Sequence, residues 1–282
     1  MSIDEIPIRG TTRVAAVIGE PVRHSLSPAL YNAAFAARGL DWRFVAFEVA
    51  RGCGADAVEA MRTLGLAGLS VTMPHKEAVI AACDELTEAA AALRSVNHVR
   101  WDGDRIVGDS TDGEGFVRSL RDASVDPAGR RVLLLGAGGA ARAVAVALVG
   151  AGASVTCLAR RVEAAAEVAR LCGGGSGDLA SAPHVVVEPA VVVNATPVGM
   201  GTDGAVALPA ASLRPDLVVA DLVYHPLTTP LLVAARALGA PIVDGLGMLV
   251  HQAAIQFEHW TGGPAPVAAM RAAAEAELAS RS

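Results

Sequence analysis

The chain has 282 residues, enough for two hydrophobic cores at roughly 150 residues each, and its 23 Lys+Arg against 29 Asp+Glu give a net charge of −6. With no basic run, nucleic acid is excluded as the main partner, because phosphate-backbone binding needs clustered Lys and Arg. Apolar residues make up 52% and aromatic ones only 4%, so the interior is expected to consist of Ala, Val and Leu in layered α/β packing and not of large rings.

Cys53, Cys83, Cys157 and Cys172 are scattered and form no C-x-x-C, which indicates neither a disulfide framework nor a zinc knuckle and fits a reducing cytoplasm. Asp4, Glu5 and Pro7 stand where an export signal would need an apolar core. The longest uncharged stretch, Ala143 to Ala159, is broken by Gly150 and Gly152 and reads as helix, turn and strand, so no membrane partner is expected.

In chain order, Val14 to Gly19 reads as a buried strand, after which Ser27-Pro28 supplies an N-cap and first-turn proline for a helix to about Arg38. Trp42 to Glu48 alternates as a second strand, Ala55 to Leu64 is helical, Leu69 to Thr72 is a short strand, and Pro74 opens a helix continuing past Ala78. Val96 to Trp101 and Arg105 to Gly108 form a hairpin across Asp102-Gly103-Asp104. Repeated β-α-β spacing predicts a mostly parallel sheet.

A helix from Asp112 to about Asp122 leads to a second domain. Its predicted strands are Arg131 to Leu135, Ser154 to Leu158, Val185 to Val187, Val191 to Ala195, Leu217 to Val223 and Ile242 to Val243, with helices at Val162 to Leu171 and Pro230 to Leu238. The glycine-rich segment Cys172 to Gly177 predicts a mobile loop. Met248 to Trp260 and Pro266 to Ser280 read as two closing helices.

Gly136-Ala137-Gly138-Gly139-Ala140-Ala141-Arg142 follows the run Val132 to Leu135 and opens a helical run through Val149, the strand, turn and helix of a dinucleotide-binding unit. Gly136 permits the tight turn, Gly138 lets backbone approach a pyrophosphate, and small Ala141 packs the helix on the strand. Gly139 and Ala140 complete that cofactor-binding turn. An NAD site usually has Asp or Glu about 20 residues on, at the end of the second strand; here stand Ala159-Arg160-Arg161. Two arginines at a helix start oppose its macrodipole at about 0.3–1 kcal/mol per charge unless an anion sits between them. A 2′-phosphate is such an anion, so NADP is the expected cofactor; solvated surface arginines are the alternative.

Three further motifs sit at turns after strands of the first domain: Gly19-Glu20-Pro21-Val22-Arg23-His24-Ser25-Leu26-Ser27-Pro28, Gly68-Leu69-Ser70-Val71-Thr72-Met73-Pro74-His75-Lys76 and Gly108-Asp109-Ser110-Thr111-Asp112-Gly113. Each taken alone also reads as ordinary caps and turns. Together with Asn97, Asn194-Ala195-Thr196-Pro197-Val198-Gly199-Met200, Asp221-Leu222-Val223-Tyr224-His225-Pro226, Gly245-Leu246-Gly247-Met248-Leu249-Val250-His251-Gln252 and Trp260-Thr261-Gly262, they closely resemble the shikimate dehydrogenase family over nearly the full length. The resemblance implies a parallel-rich α/β substrate domain at 1–112, a Rossmann-like NADP-binding domain at 113–244 and helices at 245–282 returning to the first domain. It implies the NADPH-dependent, reversible reduction of 3-dehydroshikimate to shikimate on the way to aromatic amino acids; a monomer or homodimer is expected.

By resemblance, Lys76 and Asp112 are the acid/base pair; a lysine in the first turn of a helix has its cation destabilised while a neighbouring carboxylate favours it. Ser25, Ser27 and Tyr224 match family residues holding the carboxylate, and Thr72, Asn97, Gln252 and Ser70 match those at the ring hydroxyls. Asn194, Thr196, Leu222, Gly245 and Met248 fall near the cofactor. Four positions depart from the pattern: Ser70 and Ser110 for Asn, His98 for Thr and Tyr31 for His. They keep open a paralogue acting on quinate or aminoshikimate, and a catalytically silent NADPH/shikimate-binding regulator is a further alternative. His24, His75 and His98 show no i, i+4 pairing or attendant Cys/Asp cluster, so no metal is expected. His251 and His259 fall two turns apart on one helix and suit packing or solvent.

Overall fold

The computed structural model describes residues 7–185, 191–202 and 204–281. Its N-terminal apolar run forms β1 (Arg13–Gly19), fully buried over its last five residues. The chain continues through α1 (Ser27–Ala37), β2 (Trp42–Glu48), α2 (Gly54–Leu64), β3 (Gly68–Val71), β4 (Glu85–Leu86), α3 (Glu88–Leu93), β5 (His98–Asp102) and β6 (Arg105–Asp109). These strands form one sheet in the order β2-β1-β3-β5-β6-β4. β1 runs parallel to β2 and β3, β4 parallel to β6, and β5 antiparallel to β3 and β6. Gly103, at φ +62°, turns the hairpin between β5 and β6.

Then follow α4 (Asp112–Asp122), β7 (Arg131–Leu135), α5 (Gly139–Gly150), β8 (Ser154–Ala159), α6 (Val162–Cys172), β9 (Gly175–Asp178), α7 (Ala182–Val185), β10 (Val191–Asn194), β11 (Val218–Asp221), α8 (Pro230–Ala237), β12 (Ile242–Val243), α9 (Gly245–Thr261) and α10 (Val267–Ser280). The second sheet is parallel throughout, in the order β12-β11-β10-β7-β8-β9. That is the doubly wound 3-2-1-4-5-6 arrangement, whose strand order reverses between β7 and β10. The chain divides into two units, Met1–Thr111 with Gln252–Ser282 and Asp112–His251, so the division passes through α9. Within the first unit α10 lies against α1, and the Arg281 guanidinium donates to the His24 carbonyl at 2.6 Å.

Several elements differ from the sequence reading. No α-helix follows Pro74: residues there form turns and then a short 3-10 segment at Ala78–Ala82. The His75 N–H closes a turn on the Thr72 carbonyl, and the buried His75 ring bonds the Val49 carbonyl through Nε2 at 2.8 Å. These bonds draw the chain inward before it can wind. Thr87 then caps α3, its Oγ1 accepting from the Ala90 N–H. α1 starts at Ser27 itself, and Ser25 Oγ accepts the Ser27 N–H at 3.2 Å.

The predicted loop at Cys172 to Gly177 is in part the edge strand β9, paired along β8 from Thr156↔Gly175 to Ala159↔Asp178. A Cβ at Gly174 would strike the Val155 carbonyl, so glycine here permits close pairing. Val185 is helical in α7, whereas Val186 and Val187 of that predicted strand lie outside the described residues.

The interior also departs from one built without large rings. Tyr31, Phe35, Trp42, Phe44, Phe257 and Trp260, six of the chain's ten aromatic residues, form one cluster within the first unit. Tyr31 and Phe44 stack at 4.2 Å. Rings spread thinly over the sequence thus concentrate where α1 and α9 meet β2, while a second cluster of this unit is mainly Ile, Val, Leu, Met and Ala with Trp101 packed against it. The second unit has the Ala/Val/Leu interior that the composition predicts.

Candidate active site

In the second unit β7 ends at the glycine turn. Gly136 has φ +108°, and a Cβ there would lie 2.8 Å from the Ala195 carbonyl oxygen. Glycine is therefore required for the turn to pass the end of β10, at the point where the strand order reverses. The Cys157 thiol, its pKa pushed up to about 11 by burial, donates to the Gly136 carbonyl at 3.3 Å. Gly138 is the N-cap of α5 and has no side-chain cap, and neither Gly138 nor Gly139 has any atom within 4 Å of a built Cβ. A side chain at either position would meet open space, the first-turn N–H groups of a helix have no partner within the helix, and the buried Ala141 seats α5 on the sheet.

Three arginines surround positive helix ends in this unit. Arg142 lies in the first turn of α5 and its buried Nε has no hydrogen-bond partner among the described residues. Arg160 and Arg161 are exposed after β8, and Arg161 is the N-cap of α6 without a side-chain cap bond. Cations at such ends are unfavourable unless an anion joins them, so these residues fit a phosphorylated dinucleotide.

Asn194 has a different place from a ligand-facing side chain. It is fully buried; its Nδ2 donates to the Val198 carbonyl and Asp221 Oδ1, and its Oδ1 accepts the Thr196 N–H and hydroxyl, the latter at 2.6 Å. Asn194 therefore shapes the loop carrying Thr196. Burial pushes the Asp221 carboxyl above its ordinary range, against bonds from Thr229, the Val223 N–H and Asn194. Gly245 lets α9 start against the Leu222 and Val223 carbonyls, and Leu222 and Met248 pack half-buried on the core. Tyr224 is half-buried in the loop after β11.

In the first unit the polar residues converge on α9. Asn97 precedes β5; its Oδ1 accepts the Thr111 N–H at 2.8 Å and its Nδ2 donates to Thr111 Oγ1 and Gln252 Oε1. Gln256, one turn beyond Gln252, is fully buried and joins the rest. Its Nε2 donates to Gln252 Oε1 at 2.7 Å and Thr111 Oγ1 at 3.1 Å, while its Oε1 accepts from Tyr31 at 2.8 Å and from Ser70. Burial pushes the Tyr31 phenol well above its usual range, with the Ser70 hydrogen bond opposing, so the phenol keeps its proton and donates. Ser70 Oγ is thus committed to Gln256. In contrast, the Ser27 and Thr72 hydroxyls have no hydrogen-bond partner among the described residues.

Lys76 is half-buried outside any helix, and its carbonyl accepts the Val96 N–H at 2.8 Å, beside Asn97. Lys76 therefore does not sit in the first turn of an α-helix, contrary to the sequence expectation. Asp112 is half-buried at the start of α4, where an N-terminal turn favours a carboxylate. Gln256 and Thr111 are parts of the polar cluster that the sequence reading missed; the i, i+4 spacing of Gln252 and Gln256 was the available signal.

Two family models match the chain: the "Shikimate dehydrogenase substrate binding domain" over residues 17–99 and the "Shikimate 5'-dehydrogenase C-terminal domain" over residues 245–275. The shikimate dehydrogenase (NADP(+)) of Methanopyrus kandleri is 43% identical over 282 residues, covering 95% of this chain and 97% of its own length. The structure of shikimate 5-dehydrogenase from Thermus thermophilus in complex with NADP(H) and shikimate superposes with a TM-score of 0.87 at 35% identity, covering 94% of this chain and 99% of that one. Quinate dehydrogenase from Corynebacterium glutamicum in complex with NAD gives a TM-score of 0.87 at 32% identity, with coverage of 94% and 99%. With its glycine turn, its arginines and its polar cluster in place, this chain belongs to the shikimate dehydrogenase family.

Proposed function

We propose that this chain catalyses the NADP-dependent, reversible reduction of 3-dehydroshikimate to shikimate. The observation that carries the reading is 43% identity, over 95% of the chain, to an NADP-dependent shikimate dehydrogenase, and the side chains supply a chemical reason for each part. Bound NADPH supplies a hydride. The N-terminal turn of α5 with Gly136, Gly138 and Gly139 would hold the pyrophosphate, and Arg160 and Arg161 the 2′-phosphate. Thr196, Leu222, Gly245 and Met248 line the nucleoside, with Asn194 as a positioning residue for Thr196.

Reduction of a ketone needs a proton at the carbonyl oxygen, and alcohol oxidation needs that proton taken away. Lys76 with Asp112 is assigned this transfer. Ser25, Ser27 and Tyr224 hold the carboxylate; the unengaged Ser27 and Thr72 hydroxyls support such contacts. Thr72, Asn97 and Gln252 read the ring hydroxyls, where a mispaired polar group would strongly disfavour the wrong polyol. Ser70 acts through Gln256, setting the position of Gln252. The four cysteines are free, in keeping with a reducing cytoplasm, and the working form is taken as a monomer or homodimer. No helix among the described residues is long and apolar enough to cross a membrane.

The test is an absorbance assay of reduced nicotinamide with shikimate or quinate, each with NADP+ or NAD+. Shikimate with NADP+ is expected to give the highest kcat/KM. Preference for quinate with NAD+ would reassign the substrate and cofactor, and no turnover with any pair would remove the enzyme reading.

A further inference from the structure

Apart from the residues assigned above, the first unit brings together three metal-ligating side chains: His98 on β5, Asp109 on β6 and His259 on α9. The hairpin register sets His98 opposite Asp109. Asp109 Oδ1 accepts from Thr87 Oγ1 and the Ser110 N–H, both at 2.7 Å. Its Oδ2 is left 3.7 Å from His98 Nδ1 and 3.9 Å from His259 Nδ1. These separations are too long for hydrogen bonds. They lie close to the ~3.3 Å that separates ligand atoms around a tetrahedral ion with bonds of about 2.0–2.1 Å.

His98 is the second sign. It is fully buried, yet among the described residues neither ring nitrogen has a hydrogen-bond partner, an arrangement that native interiors avoid. Trp260 packs edge-on against the ring at 5.3 Å, and His259 stacks on it at 5.2 Å.

We propose that His98, Asp109 and His259 form a binding site for a divalent transition metal of the zinc type. Two imidazole nitrogens with one carboxylate oxygen suit Zn2+ or Co2+ and are poor for Mg2+ or Ca2+, which need oxygen ligands. Thr87 and the Ser110 backbone, by occupying Oδ1, aim Oδ2 at the histidines. His259, with 40% of its side chain exposed, leaves an entry path and a fourth position for water. The ion would tie α9 to the β5–β6 hairpin, one residue from Asn97.

The test uses the untagged full chain, stripped with a chelator and titrated with Zn2+ and with Co2+ in separate runs. Metal content, competition with a chromogenic chelator, the Co2+ absorption spectrum and the melting temperature are read. Expected are one ion per chain, a tetrahedral-type Co2+ spectrum and a higher melting temperature with Zn2+. His259→Ala is expected to weaken binding at least tenfold and abolish the spectrum, and Thr87→Val to weaken it by about tenfold. Asp109→Asn is expected to weaken binding as His259→Ala does; if it fails to fold, the half-exposed His259→Ala decides. Binding of equal strength in wild type and His259→Ala, or no binding in the wild type, overturns the site. These readouts do not depend on dehydrogenase activity, so they stand or fall separately from the proposed reaction.

Discussion

Lys76 owes its place to its backbone. The carbonyl bond to Val96 holds it beside Asn97 without using the side chain, so Lys76→Ala removes the ammonium and leaves that anchor. Turnover of shikimate is expected to fall by about 10²–10⁴-fold while NADPH binding, followed by fluorescence titration, is retained. Near-normal turnover would take Lys76 out of the mechanism. The motif carrying Lys76 was legible in sequence, but its setting was not. Proline followed by an Ala-rich run reads as a helix start, and only the interior partners of His75 draw the chain into turns. Ser70 and Asn194 show the same limit in another form: both match ligand positions in the family pattern, and both direct their polar atoms at neighbouring protein groups.

At the scale of elements, the long runs were readable because their signal is local. β2 and β7 match their predicted bounds, and the alternation or apolar density of each lies within the strand itself; the two-residue β12 matches as well. β4 and β9 were not readable, since strands of two and four residues with Glu, Gly, Ser or Asp have no apolar period and exist through pairing with β6 and β8. β4 is flanked by a tie between α2 and the hairpin: Asp84 Oδ2 accepts from Arg62 at 2.8 Å and from the Ile106 N–H at 2.6 Å. The Arg62 hydrogen bond, then the Ile106 N–H, hold the Asp84 carboxyl below its ordinary range. A carboxyl lowered in the folded state adds stability above its unfolded value, about 3.9, and loses it as pH falls through the folded value. Asp84→Asn is therefore expected to be less stable than wild type in denaturant melts near neutral pH, by a small margin that closes as pH falls below about 3.9. An unchanged margin in acid would assign the effect to packing instead of charge.

At the scale of the whole molecule, ligand linkage gives the clearest check on the cofactor reading. NADPH at about 100 times its Kd is expected to stabilise the chain by about 2.7 kcal/mol. The Arg160→Ala/Arg161→Ala double variant is expected to lose about 10- to 100-fold in NADPH affinity, about 1.4 kcal/mol per tenfold, with little change toward NADH. Thermal shift against cofactor concentration reads both. Equal losses for the two cofactors would point to the pyrophosphate turn and away from a 2′-phosphate contact. The sequence by itself determined the strand–glycine turn–helix of Gly136, the arginines after β8, the hairpin and the order of the family motifs, because each is written in contiguous residues with a backbone requirement or a charge that needs no distant partner. Only the tertiary structure decided that Gln256 joins Tyr31, Ser70, Asn97 and Thr111, that six rings share one interior, and that His98, Asp109 and His259 face one another. Those meetings depend on the hairpin register and on α9 lying against the first sheet, contacts between residues too distant in the chain for any local period to encode.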